Sequence, residues 1–141
     1  MYTDADRAKV VHDEAKRLEA FLSALSPEEW QRPSQCDQWL VADVVAHLVS
    51  AKHAERIVRA LQGEQGPPAG GAPSGTLNEN AFRESVAQSA IALRSLLGDA
   101  LLAVFCAENE QMDEMLTGMK SADWEKLCYH PMGPEPVRTI V

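Results

Sequence analysis

Apolar residues recur along the first 25 positions at Ala8, Val11, Ala15, Leu18, Leu22 and Leu25. Steps of three and four place them on one stripe of a helix, the arrangement expected of an element that buries one face. The spacing predicts a helix over about 4–25, with Thr3 or Asp4 available as its N-cap. Ser26-Pro27-Glu28-Glu29 then reads as a fresh start: a capping hydroxyl, proline at the first helical position and glutamate three residues after the serine. A single turn ending near Trp30 should follow, then a polar loop to Gln38. A second stripe, Leu40, Val44, His47, Leu48, Ala51, Ala54, Val58 and Leu61, predicts one helix over about 39–62 that Gly63 stops.

Residues 63–77 are rich in glycine and proline and cannot form regular structure, so they read as a long, flexible crossover loop. Beyond it, Asn78 or Asn80 caps a stretch carrying Phe82, Val86, Ala90 and Leu93. Continued to Met119 it would run roughly 40 residues, about 60 Å at about 1.5 Å per residue. Gly98 costs about 1 kcal/mol inside a helix, and Asp99 beside it is a good cap, so the element is expected to break there. This yields a shorter helix near 79–96 and a long one at 99–119, with Leu102, Phe105, Met112, Met115 and Leu116 inward. Residues 120–134 carry Pro131, Gly133 and Pro134 and read as a polar loop, after which Pro136, Val137 and Ile140 open a last helix. The expectation is an all-α bundle of near-antiparallel helices forming a single domain over 1–141.

Composition changes the picture mainly by exclusion. The chain has 141 residues, 45% of them hydrophobic, enough for one continuous core. Thirteen Lys+Arg against 21 Asp+Glu give a net charge of −8, which repels phosphate backbones and anionic lipid. Nucleic acid and membrane are therefore not expected as partners. Cys36, Cys106 and Cys128 are too few and too scattered for a disulfide framework or a zinc ribbon. The N-terminal residues lack the apolar core of a signal peptide, and no apolar run nears the roughly 20 residues that span a bilayer. A reducing cytoplasm is the expected setting.

Candidate chemistry centres on His47, which lies on the second stripe. An isolated histidine there has two readings, a hydrogen-bonded core side chain or a metal ligand, and the pattern alone favours the first. His53, six residues on, belongs to a different face of a continuous helix. His12 reads as a boundary residue. Cys128-Tyr129-His130 is a weak zinc signal and reads as a loop with an ordinary exposed histidine. Trp30, Trp39 and Trp124 suit packing anchors, and Glu108, Glu110, Asp113 and Glu114 a solvated face. No phosphate-binding glycine loop, nucleophile elbow or HExxH pattern occurs.

The run Pro33-Ser34-Gln35-Cys36-Asp37-Gln38-Trp39-Leu40-Val41-Ala42-Asp43-Val44-Val45-Ala46-His47-Leu48 resembles the signature of the mycothiol-dependent maleylpyruvate isomerase N-terminal domain family, within the DinB-like superfamily of four-helix metal-binding bundles. Leu25 through Trp30, Ala122-Asp123-Trp124 and Pro136-Val137-Arg138 also match. The resemblance implies that His47 is a ligand to a divalent metal, usually zinc. It places the remaining ligands, a glutamate and a histidine one turn apart, on a fourth helix that starts only at Pro136, so the domain is expected to be incomplete at its C-terminal end. Asp37-Gln38 stands where Pro-Gly is frequent, and Leu40 where a capping hydroxyl often lies. The implied function is a metal-dependent transferase or isomerase using a low-molecular-weight thiol, mycothiol by analogy, as cosubstrate toward a small electrophile. A homodimer is left open. The alternative is a non-catalytic helical interaction module or an inactive fragment.

Overall fold

The computed structural model describes residues 3–96 and 98–141. The helices are α1 (Asp4–Ser23), α2 (Pro27–Trp30), α3 (Val41–Ser50), α4 (His53–Leu61), α5 (Glu79–Ile91), α6 (Gly98–Gly118) and α7 (Val137–Ile140). A 3₁₀ turn at Asp123–Glu125 precedes a two-residue antiparallel ladder, β1 (Leu127–Cys128) against β2 (Glu135–Pro136), in which Cys128 opposes Glu135. Among the described residues the fold is all-α apart from that ladder and an isolated bridge between Pro33 and Leu40. None of the described helices is long and apolar enough to cross a membrane.

The helix starts follow local chemistry. Thr3 caps α1: its hydroxyl accepts from the Asp6 N–H at 3.1 Å, while the Asp6 carboxylate accepts from the Thr3 N–H at 2.9 Å. Ser26 and Glu29 make the same reciprocal pair at α2. Asn78 caps α5 through the Ala81 N–H at 2.9 Å. At α3 only half of the box exists. Leu40 has no side-chain acceptor to offer, and the Asp43 carboxylate alone reaches back to the Leu40 N–H at 3.0 Å.

The expected single helix over 39–62 is two helices. Lys52 lies between them in the left-handed region, φ 47° and ψ 44°, where a side-chain-bearing residue is uncommon. The break resets the rotational phase of everything after it. The buried face of α3 is Val45, Ala46 and Val49, with Leu48 exposed, and that of α4 is Ala54, Ile57 and Ala60. The stripe read from the sequence was out of phase because Val44, Val45, Ala46, Leu48 and Val49 wrap most of the way round α3. Residues 120–134 also differ from the expected loop, since they hold the 3₁₀ turn and β1, elements too short to show a period.

The core has two parts. Leu22, Trp30, Val45, Ala46, Val49, Ala90, Leu101 and Phe105 form one; Ile57, Ala60, Leu116, Trp124, Cys128 and Val137 form the other. Helix α6 runs through both, and α1 flanks both, with Leu22 in the first and Ala8 and Val11 against the second. Helix α3 belongs to the first and α4 to the second, so the bend at Lys52 is where the chain passes from one to the other. Each fully buried Leu or Ile contributes about 1.5–3 kcal/mol.

Candidate functional site

A cavity of about 550 Å³ opens between α3, α4, α5, the loop after α4 and the β1–β2 hairpin. His47 reaches it from α3, half-buried, its imidazole centroid 5.5 Å from the Trp39 indole. Trp39 is held by the preceding loop, whose Ser34 N–H donates to the Trp39 carbonyl at 2.8 Å and whose Trp39 N–H donates to Cys36 at 3.1 Å. The polar segment before α3 is thus a folded knuckle that backs the His47 ring.

His53 lines the same cavity, contrary to its expected place on another face. The cause is the break at Lys52: without a continuous helix, six residues no longer imply a fixed rotation. His130 lines it as well, half-buried rather than ordinarily exposed, its ring 5.2 Å from Phe82 and its Nδ1 accepting from the Met132 N–H at 3.2 Å. Burial holds His130 below the usual histidine range, and the Arg56 guanidinium adds to the effect. His53, though exposed at its surface, is lowered for the same leading reason, with Arg56, His47 and His130 also disfavouring its charge.

Arg56, from α4, is the residue the sequence offered no sign of. Its Nε and Nη2 both donate to the Tyr129 carbonyl, at 3.0 and 2.7 Å, and its guanidinium lies 6.0 Å from the Tyr129 ring centre. Tyr129 is buried, and burial raises its phenol. Its hydroxyl donates to the Ala72 carbonyl at 2.6 Å. Ser74 donates to the His130 carbonyl at 2.8 Å, and the Gly75 N–H to the Pro131 carbonyl at 2.9 Å. The glycine-proline crossover, expected to be flexible, is therefore tied along the hairpin and forms a wall of the cavity.

The other sequence candidates lie apart. Cys128, in β1, is fully buried in the second part of the core and does not line the cavity that His130 lines; burial raises its thiol. Cys36 is exposed and Cys106 half-buried. His12 pairs with Asp113 of α6 at 2.7 Å, in a second cavity that does not include His47; both side chains keep about two-fifths of their surface exposed. Trp30 and Trp124 are packing anchors, 3% and 2% exposed. Among the described residues no three of His, Cys, Asp and Glu stand close enough to share a metal ion. His47 is a half-buried imidazole facing an open volume, with no complete donor set around it among the described residues.

Comparison with known proteins gives one family and two structures. The family model described as "Mycothiol maleylpyruvate isomerase N-terminal domain" matches residues 11–141. A crystal structure of the mycothiol-dependent maleylpyruvate isomerase superposes with a TM-score of 0.71 at 17% identity, covering 99% of this chain and 55% of that one. The same enzyme with a histidine-to-alanine substitution superposes at 0.70 and 15% identity, with the same coverage. The chain therefore spans about half the length of the structures it matches. No curated protein matches it in sequence.

Proposed function

This chain belongs to the mycothiol maleylpyruvate isomerase N-terminal domain family, and on that premise we propose that its main cavity is where a low-molecular-weight thiol, of the mycothiol type, meets a small electrophile. The observation that carries the reading is His47, on the signature run, facing a cavity of about 550 Å³ in a DinB-like all-α fold. We assign His47 as one donor to a divalent cation, zinc by the family resemblance. A zinc ion takes three or four protein donors. The described residues set no such group around His47, so in the working protein it acts together with donors from elsewhere.

A bound cation would supply one thing, a thiol held as thiolate near neutral pH, where a thiol of pKa about 8.5 is otherwise mostly protonated. The residues of this chain do the rest. Trp39 orients the imidazole, and Phe82, Val86 and Ile140 line the cavity with apolar surface that limits water. A thiolate added to a conjugated double bond permits rotation about the former double bond. Its expulsion then completes an isomerisation, while its retention gives S-transfer. A reducing cytoplasm suits this chemistry and the three unpaired cysteines.

Zinc titration with a thiol-addition assay tests the reading, using this chain and a version extended to the length of the matched enzymes. This chain alone should take up zinc weakly, because one imidazole does not hold it. In the longer protein His47→Ala should abolish stoichiometric uptake and thiol activation, with helical circular dichroism unchanged. Equal zinc uptake by the two longer proteins would remove His47 from the site and leave the cavity as that of a non-catalytic binding domain.

A further inference from the structure

We propose that Arg56 is the specificity-determining residue of this cavity and anchors a carboxylate of the small-molecule electrophile; this rests on the reading that the cavity is the substrate site. The chain carries a net charge of −8, and most of its arginines are spent on that excess of acid. Arg17, Arg32, Arg59, Arg83, Arg94 and Arg138 each face a carboxylate within 4 Å. Among the described residues Arg56 faces none, and neither does Arg7, which lies on α1 outside the cavity. It is half-buried, lines the cavity and is held in plane by two hydrogen bonds to one carbonyl oxygen.

Those two bonds use Nε and Nη2. The guanidinium also lies within reach of the buried Cys128 thiol; with five N–H donors it keeps N–H groups for the two oxygens of a carboxylate. The Tyr129 carbonyl thus orients the fork before any ligand arrives, which reduces the entropy lost on binding. The other ionisable groups facing the cavity are His47 from α3, Lys52 and His53 flanking the start of α4, and Tyr129, His130 and Glu135 from the hairpin. With His53 and His130 biased toward neutrality and Lys52 paired with Glu55 at 3.6 Å, Arg56 is the cation without a carboxylate partner among the described lining residues, against the single carboxylate of Glu135. Ser85 of α5 adds a hydroxyl to the lining, while the Ser89 hydroxyl donates to the Ser85 carbonyl at 2.9 Å. A small acid fits that set of groups.

The test uses the 141-residue chain without metal, with malonate as the anionic probe and malonamide as its neutral counterpart. Calorimetry should show saturable malonate binding and none of malonamide. Imidazole NMR should show the pKa of His53 and His130 rising when malonate binds, because a bound anion favours the charged ring. Arg56→Gln should weaken malonate at least tenfold and remove the histidine shift, and Arg56→Lys should recover part of both, since it returns the charge without the fork. Because Arg56 also braces Tyr129, Ser85→Trp serves as a second variant, blocking the cavity with Arg56 intact and abolishing binding. Malonate binding no stronger than that of chloride at equal ionic strength would overturn the assignment. So would unchanged binding in folded Arg56→Gln or in Ser85→Trp. Zinc plays no part here, so this assignment and that of His47 fail independently.

Discussion

Asp43, 2% exposed, shows how one buried residue can hold an element in place. Its carboxylate accepts from the Leu40 N–H at 3.0 Å and from Arg94 Nε and Nη2 at 2.8 and 2.9 Å. It thereby caps α3 and ties it to the segment after α5. Arg94 holds the carboxyl below its usual range, helped by the Leu40 N–H and opposed by burial. Asp43→Asn should cost about 2 kcal/mol, the scale of hydrogen bonds to a charged group, as read by urea denaturation. A carboxylate lowered on folding stabilises at pH values above its unfolded pKa of about 3.9, and that contribution is lost as pH falls through the folded value. The loss therefore belongs below about pH 4 and should be absent in Asp43→Asn. His53 and His130 act in a higher window. Both are lowered on folding, so the unfolded chain takes up their protons first, and stability should decline as pH falls below about 6.5. His53→Gln should flatten part of that decline between pH 7.5 and 5.5; an unchanged slope would exclude His53 as its source.

The elements divide by whether their ends are coded locally. The caps at Thr3, Ser26 and Asn78 are legible because a hydroxyl or amide and the N–H it meets lie three residues apart. A break was expected at Gly98, with Asp99 as the cap and the preceding helix running to about 96. Instead α5 ends at Ile91 and Gly98 lies inside α6, where packing is what requires a glycine. A Cβ placed on Gly98 would lie 2.7–2.8 Å from three atoms of the Trp30 indole, which is buried in the core and has no room to retreat. Propensity favours Gly98→Ala by about 1 kcal/mol, whereas overpacking costs about 1–3 kcal/mol. The clash should win, giving net destabilisation of about 1 kcal/mol by chemical denaturation; a stabilised variant would show that Trp30 can move. The break at Lys52 left no such mark, because Ala51-Lys52-His53 contains neither glycine nor proline. It arises where α3 packs in one part of the core and α4 in the other, a relation no local window contains.

At the scale of the molecule, the tied crossover is the feature that defines the cavity. Tyr129, Ser74 and Gly75 join residues far apart in sequence, and the loop has no regular structure of its own to hold it. Tyr129→Phe removes one of those ties, worth about 1 kcal/mol. Amide exchange at Gly75 and Leu77 should then quicken by about fivefold while α6 amides keep their protection. Uniform quickening would indicate global destabilisation instead.

Periodicity, caps and breakers determined that the chain is helical, where most helices begin, and that a long helix begins within a residue of Gly98, because these are interactions among neighbours. The signature run marked His47 and the family, since that pattern is linear. Tertiary structure alone decided the phase of α3, the bend at Lys52, the meeting of His47, His53 and His130 around one cavity, the pairing of Asp43 with Arg94, and Arg56 as its unpaired cation. The reason is physical. A helix that is apolar most of the way round has no preferred face until a neighbour packs against it. A charged side chain likewise has no assigned partner until the fold sets which carbonyls and carboxylates lie within reach.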